Sequence, residues 1–167
     1  RLNCVHAFLD RWIEEGRGDA PCLVSPAGTL SYRELYEQVN RLANVLVGEL
    51  GLVPGGRVLL RSANTPTMVA AYLAVLKAGG IVVATMPLLR AREIAYPIEK
   101  AKIALALCDH RLVEELERAQ KLAPDLKRIV AWGSGAPDAL EAMMAKASPA
   151  FAAADTGADD VCLIGFT

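Results

Sequence analysis

The sequence predicts an α/β fold: a mostly parallel sheet with helices on both faces, preceded by a small N-terminal hairpin. Short apolar runs of strand length recur around Val58, Ile81, Ala104 and Ile129. Helix-length amphipathic segments lie between them, and a glycine, a proline or a capping residue marks most junctions. Strands alternating with helices in this way build parallel βαβ units. Such a sheet is buried on both faces, so its strands read as unbroken apolar runs rather than as alternation.

The elements follow in order. Val5, Phe8, Leu9, Trp12 and Ile13 fall at helical spacing, and Gly16-Arg17-Gly18-Asp19 ends that helix. Cys22-Leu23-Val24, the turn Ser25-Pro26-Ala27-Gly28 and Thr29-Leu30 read as a hairpin. Ser31 then opens a helix, with Glu34 completing a capping box and Leu30 and Leu35 a hydrophobic staple. Leu35, Val39, Leu42 and Leu46 form its apolar stripe, and Gly51 lies past its end. Val58-Leu59-Leu60, bounded by Pro54-Gly55-Gly56, is the first buried strand. Thr65-Pro66 supplies a cap and a proline at the first helical position of a helix that runs to Gly79. Ile81 to Ala84 is the second strand and Arg90 to Lys102 the next helix. Pro97 should kink that helix, since an interior proline costs about 3 kcal/mol. Ala104 to Leu107 is the third strand, Asp109 caps a helix reaching Leu122, and Arg128 to Trp132 is the fourth strand. Residues 133–159 form a connector rich in Ala, Gly and Pro, with a helix over Asp138 to Lys146 and partial mobility elsewhere. Asp160 to Ile164 reads as a further strand, central and covered on both faces, leading into Gly165-Phe166-Thr167.

Composition narrows the function. The chain has 167 residues, 53% of them hydrophobic, which suits one globular domain and excludes a disordered chain. Its 18 basic and 19 acidic residues leave a net charge of -1, so no global field draws nucleic acid or an anionic membrane. The longest apolar stretch, Met68 to Met86, is interrupted by Lys77 and Gly79-Gly80 and reads as a buried helix plus a strand, not a membrane span. No signal peptide is recognised, and a cytoplasmic protein is expected. Cys4, Cys22, Cys108 and Cys162 form no C-x-x-C pair, and His6 and His110 lie far apart, so no metal site is expected. Free thiols, buried except at Cys4, are the expected state. The chain starts at Arg1 and stops where a βα turn should begin, and is read as part of a longer polypeptide.

Open parallel sheets bind ligands beyond the carboxyl ends of their strands. That points to residues 62–65, 85–88, 108–110 and 165–167. None carries a G-x-S-x-G elbow, a G-x-x-x-x-G-K-[ST] loop or a G-x-G-x-x-G turn, and no catalytic residue is assigned within the chain. His110, between Asp109 and Arg111, invites an acid–base role, but an exposed first helical turn accounts for it more simply. Arg90 and Arg92 flank a helix start, where two guanidinium groups and free N–H groups suit a phosphate. The simpler alternative is that they are solvated or paired with Glu93 or nearby acids. Glu114-Glu115-x-Glu117 reads as a solvated helix face.

Three passages together carry a resemblance. Leu30-Ser31-Tyr32-Arg33-Glu34-Leu35, with Asn40-Arg41-Leu42-Ala43 behind it, resembles the first core motif of the adenylate-forming ligases. Tyr72-Leu73-Ala74-Val75-Leu76-Lys77-Ala78-Gly79-Gly80 is similar to their second motif, and Leu163-Ile164-Gly165-Phe166-Thr167 to the strand entering the third, phosphate-binding motif. Within the superfamily, residues 85–93 and 106–111 look most like benzoate and 2-aminobenzoate CoA ligases. The resemblance implies the N-terminal subdomain of that fold, truncated at the start of the phosphate loop. It also implies a two-step reaction: a carboxylic acid, aromatic by this likeness, is adenylated with ATP and Mg²⁺ and then passed to coenzyme A. Thr167 matches a phosphate-binding position, and Arg90 and Arg92 are candidates for the coenzyme A phosphates. The remaining catalytic groups are expected beyond Thr167, so the chain alone should be inactive, with no cofactor bound. It should also self-associate through an apolar face left by the missing remainder. Two rival readings stay open: a non-catalytic α/β small-ligand-binding or interaction module, and an adenylation domain that loads a carrier protein.

Overall fold

The Ser31 hydroxyl accepts the Glu34 N–H at 3.2 Å, and the Glu34 carboxylate accepts the Ser31 N–H at 2.7 Å. With both orphan donors satisfied, α2 (Tyr32–Gly48) starts where the sequence places it and buries Leu35, Val39, Leu42 and Leu46. The computed structural model describes residues 2–166. Ahead of α2 lie α1 (Arg11–Glu14), entered through a π-helical turn at His6–Asp10, and the antiparallel hairpin β1 (Pro21–Ser25) and β2 (Gly28–Ser31). The π-helical turn departs from the expected regular helix. Val5 and Leu9 are buried while Phe8 stands in solvent.

The centre of the molecule is a parallel sheet of β3 (Arg57–Arg61), β4 (Ile81–Thr85), β5 (Leu105–Asp109) and β6 (Arg128–Trp132), in the order β4-β3-β5-β6. Parallel crossovers are right-handed, so the direction in which the chain steps across the sheet decides which face each helix covers. The step from β3 to β4 goes one way, with α3 (Pro66–Lys77) between them. The steps to β5 and β6 go the other way, carrying α4 (Ala91–Ala101) and α5 (Val113–Leu122). The core divides accordingly. Val58, Leu60, Val82, Leu107 and Val130 pack with α2, α3 and α6 (Leu140–Lys146), whereas Leu59, Val83, Ala106 and Cys108 pack with α4 and α5. This is the period-two alternation of a strand buried on both sides. The α4 helix runs through Pro97 and ends at Lys102, a non-glycine residue at φ 54°.

Three expectations need correction. Residues 160–164 do not form a central, twice-covered strand. They join the sheet through a single parallel bridge, Leu163 to Val82, at the free edge of β4. Val161 is 62% exposed and Leu163 49%, an open apolar face of the kind expected at this strand in the chain on its own. Second, of the cysteines only Cys108 is buried, Cys4 and Cys22 being half-buried and Cys162 exposed on that same edge. Third, the acidic run is not uniformly solvated, since Glu115 is half-buried between α4 and α5.

The connector is anchored. Asn40 donates to the Pro149 carbonyl at 2.8 Å, Asn44 to those of Ser148 and Ala150 at 2.9 Å, and Arg41 to that of Ala147. The polar residues of α2 thus bind the return strap while its apolar stripe faces the core. The N-terminal segment is fastened by Lys77, whose ammonium lies 2.7 Å from Asp10 and 4.4 Å from the Tyr36 ring centre.

Candidate functional site at the carboxyl rim of the sheet

Polar side chains are rare inside this protein, and most of those that are buried gather in one place. Arg61, Ser62, Thr85 and Asp109 are buried at or just past the carboxyl ends of β3, β4 and β5. The sheet reverses its winding between β3 and β5, and that switch point is where open α/β sheets offer a crevice.

Arg61 dominates the rim. It is 1% exposed, yet it closes a strand whose other interior residues are apolar. Its Nη1 donates to the Met86 carbonyl at 2.8 Å, and its Nη2 to those of Pro87 and Leu89, each at 2.8 Å. A longer contact of 3.4 Å runs from Nε to the Leu112 carbonyl. Burial lowers its pKa, while the Cys108 and Glu115 side chains act the other way. A guanidinium keeps its proton in either case.

Around Arg61 lies a cavity of about 210 Å³ lined by Leu88, Arg90, Arg111, Leu112 and Glu115 among others. Arg90 is the residue before α4. Its N–H donates to the Glu93 carboxylate at 2.8 Å, and its side chain, 79% exposed, lies 3.6 Å from Glu115. Glu115 also accepts the Ala91 N–H at 2.8 Å. That bond lowers its pKa most, with Arg118, Arg90 and Arg61 adding to the effect. Arg92 is exposed. Asp109 receives two bonds from the Arg111 guanidinium, at 2.9 and 2.6 Å, and one from the Arg111 N–H at 3.0 Å. The Arg111 guanidinium is the main reason the Asp109 carboxyl is held below its usual range. His110 opens a short 3-10 turn, His110–Leu112, with Nδ1 3.6 Å from Asp109. The Cys108 thiol behind it is pushed by burial up to about 12. The Ser62 hydroxyl, also buried, has no hydrogen-bond partner among the described residues.

The sequence candidates fall as follows. Arg90 and Arg92 stand together at the start of α4, and Arg90 borders the Arg61 cavity. Thr167 lies outside the described residues. The strand pairing of Leu163 with Val82 is parallel, so Gly165 and Phe166 head toward this same rim, and Phe166 meets Tyr96 edge to face at 5.9 Å. Arg61 was not singled out from the sequence. The available signal was a charge directly closing an apolar run, Val58-Leu59-Leu60-Arg61. Among the described residues no three His, Cys, Asp or Glu side chains converge to hold a metal ion. No helix among them is long and apolar enough to cross a membrane.

The profile of the AMP-binding enzyme family matches residues 9–167. The chain belongs to that family. It is 29% identical over 162 residues to benzoate–CoA ligase of Thauera aromatica, covering 97% of this chain and 31% of the relative. A crystal structure of a benzoate CoA ligase from Burkholderia xenovorans LB400 superposes with a TM-score of 0.83 at 29% identity, over 94% of this chain and 31% of that one. The anthranilate CoA ligase AuaEII, in complex with anthranoyl-AMP, superposes with a TM-score of 0.89 over 96% of this chain and 30% of that one; at 21% identity this likeness speaks for the fold. The chain therefore spans about a third of the length of these CoA ligases, and its parallel sheet with helices on both faces is that of the adenylate-forming ligases.

Proposed function

We propose that this chain is the scaffold portion of an ATP-dependent ligase that adenylates an aromatic carboxylic acid, of the benzoate or 2-aminobenzoate class, and transfers the acyl group to coenzyme A. The observation that carries the reading is the 29% identity to a benzoate–CoA ligase over nearly the whole chain, within a family match that spans all three passages. In this reading the sheet and its two helical layers form a wall. Arg61, Glu115 and the first turn of α4 set the direction of Arg90 and Arg92, which would meet the phosphates of coenzyme A as exposed cations. Thr167 would contact an ATP phosphate. Magnesium would accompany ATP and neutralise charge on the departing pyrophosphate, with its ligands outside the described residues. The protein would work in the cytoplasm, where the unpaired cysteines stay reduced.

The full-length protein carrying this chain should show ATP–pyrophosphate exchange that depends on a benzoate, weaker exchange with fatty acids, and a thioester product only with coenzyme A. The Arg90→Ala/Arg92→Ala variant should raise the KM for coenzyme A by about tenfold, one charge-assisted phosphate contact, and leave exchange unchanged. The 167-residue chain by itself should give no exchange. It should elute above monomer mass, paired through the free edge where Val161 and Leu163 are exposed. Exchange with no carboxylate preference for benzoates would overturn the substrate class. Exchange by the short chain alone would overturn its role as a scaffold.

A further inference from the structure

A buried arginine usually meets a carboxylate, because an ion taken out of water needs a counter-charge. Arg61 does not. Its guanidinium is satisfied by backbone carbonyls of Met86, Pro87, Leu89 and Leu112, from two different loops. Three of these acceptors lie within four consecutive residues of the β4–α4 loop, which ends on Arg90. Beyond these bonds Leu89 donates to the Met86 carbonyl at 3.2 Å and packs half-buried against the α4–α5 side of the core, while Met86 and Leu88 leave their side chains in solvent. A loop with little apolar burial of its own opens readily. The Arg61 fork is what closes it, and Glu115 secures the next residue by accepting the Ala91 N–H.

We infer that Arg61 is a positioning residue: by gripping the β4–α4 loop from beneath, it holds Arg90 and the cavity beside it in the orientation that receives the acceptor thiol's phosphates. The inference rests on the coenzyme A reading of Arg90 given above. Arg61 touches neither substrate nor reacting atoms in this arrangement. Its effect passes through the loop, so it should be felt in the thioester half-reaction and not in adenylation.

The test uses the full-length protein with Arg61→Lys, which keeps the charge but replaces the planar fork by a single nitrogen unable to reach all the carbonyls. Two readouts are combined: hydrogen exchange of the amides at residues 88–91, and steady-state constants for coenzyme A beside ATP–pyrophosphate exchange. The expected result is faster amide exchange in the loop and a roughly tenfold higher KM for coenzyme A, with pyrophosphate exchange unchanged. Arg90→Ala combined with Arg61→Lys should be no worse than Arg90→Ala alone, since both act on one contact. Unchanged amide exchange overturns the inference, as does a parallel fall in both half-reactions at constant KM, which marks a general folding role. A KM raised by Arg90→Ala but not by Arg61→Lys overturns it too. If the loop loosens while neither variant changes the coenzyme A constant, Arg61 still holds the loop and it is the acceptor reading of Arg90 that falls.

Discussion

Replacing Asp10 by asparagine should destabilise the fold far more than replacing its partner Lys77 by methionine. The Lys77 side chain is 1% exposed and Asp10 13%, and their charged atoms lie 2.7 Å apart. Removing the carboxylate leaves an ammonium in the interior whose one ion-pair partner among the described residues is gone, with the Tyr36 ring 4.4 Å away and an amide oxygen in the carboxylate's place. Breaking a buried pair in this way costs about 3–5 kcal/mol. Lys77→Met instead removes the charge that cannot reach water. The aspartate left behind sits nearer the surface, and the methionine keeps most of the apolar stem. The loss is then the ion pair and a cation–π contact, offset by relief of desolvation, or about 1–2 kcal/mol. A domain of this length loses roughly 2–4 °C in Tm per kcal/mol, so Asp10→Asn should lower Tm by about 6–20 °C and Lys77→Met by about 2–8 °C. Thermal and urea unfolding of the chain, followed by far-ultraviolet circular dichroism, measures both, and an unchanged urea m-value would show that the folded state itself is intact. Equal losses, or a larger loss for Lys77→Met, would refute the view that desolvation of the ammonium decides the cost.

Two further outcomes follow from the titratable groups. Iodoacetamide at pH 8 should modify exposed Cys162 first, half-buried Cys4 and Cys22 next, and Cys108 last, whose thiol is buried and held at about 12; peptide mass spectrometry gives the order, and early labelling of Cys108 contradicts it. Asp109 has a folded pKa below its ordinary 3.8, chiefly through Arg111. Its stabilisation is therefore complete above that ordinary value and lost as the pH falls through the lower folded one. Asp109→Asn should flatten the decline of the urea midpoint between about pH 5 and pH 2, and a decline as steep as in the unsubstituted chain would refute this.

Elements with local signals were legible from residues alone. Ser31 with Glu34, Thr65 with Pro66, and the apolar runs of β3 to β6 each specify a start, a stop or a burial state within a few positions, and the structure places them within a residue or two of the expected bounds. What failed was non-local. Asp160 to Ile164 has the composition of an interior strand, but whether a strand is interior depends on what lies on either side, and here one edge meets β4 and the other meets nothing described. Cys162 shares that error. The π-helical turn at His6–Asp10 escaped because its residues fit an ordinary helix equally well. At the rim, Arg90 and Arg92 were visible as cations beside a helix start. Arg61 was not, because a basic residue after an apolar run usually marks the end of burial. Its partners are carbonyls, which belong to the backbone and leave no trace in the residue sequence.

The position of Arg61 in the sheet explains why this residue type stands there. β3 is flanked by β4 on one side and β5 on the other, and the register sets Arg61 opposite both Thr85 and Cys108. A side chain at the end of β3 therefore stands between the loop leaving β4 and the turn leaving β5. Those two connections go to the same helical face, through α4 and α5, and their carbonyls converge on the space above β3. An apolar side chain there would take away the donor of the Pro87 and Leu89 carbonyls, at about 1–3 kcal/mol each. A lysine would offer a point charge that cannot satisfy acceptors spread over two loops. A guanidinium fork matches the spread, and its charge is tolerable because carbonyl dipoles point at it from more than one side. The same parallel topology that creates the crevice thus creates a surplus of backbone acceptors at its floor, and Arg61 turns that surplus into a fixed loop.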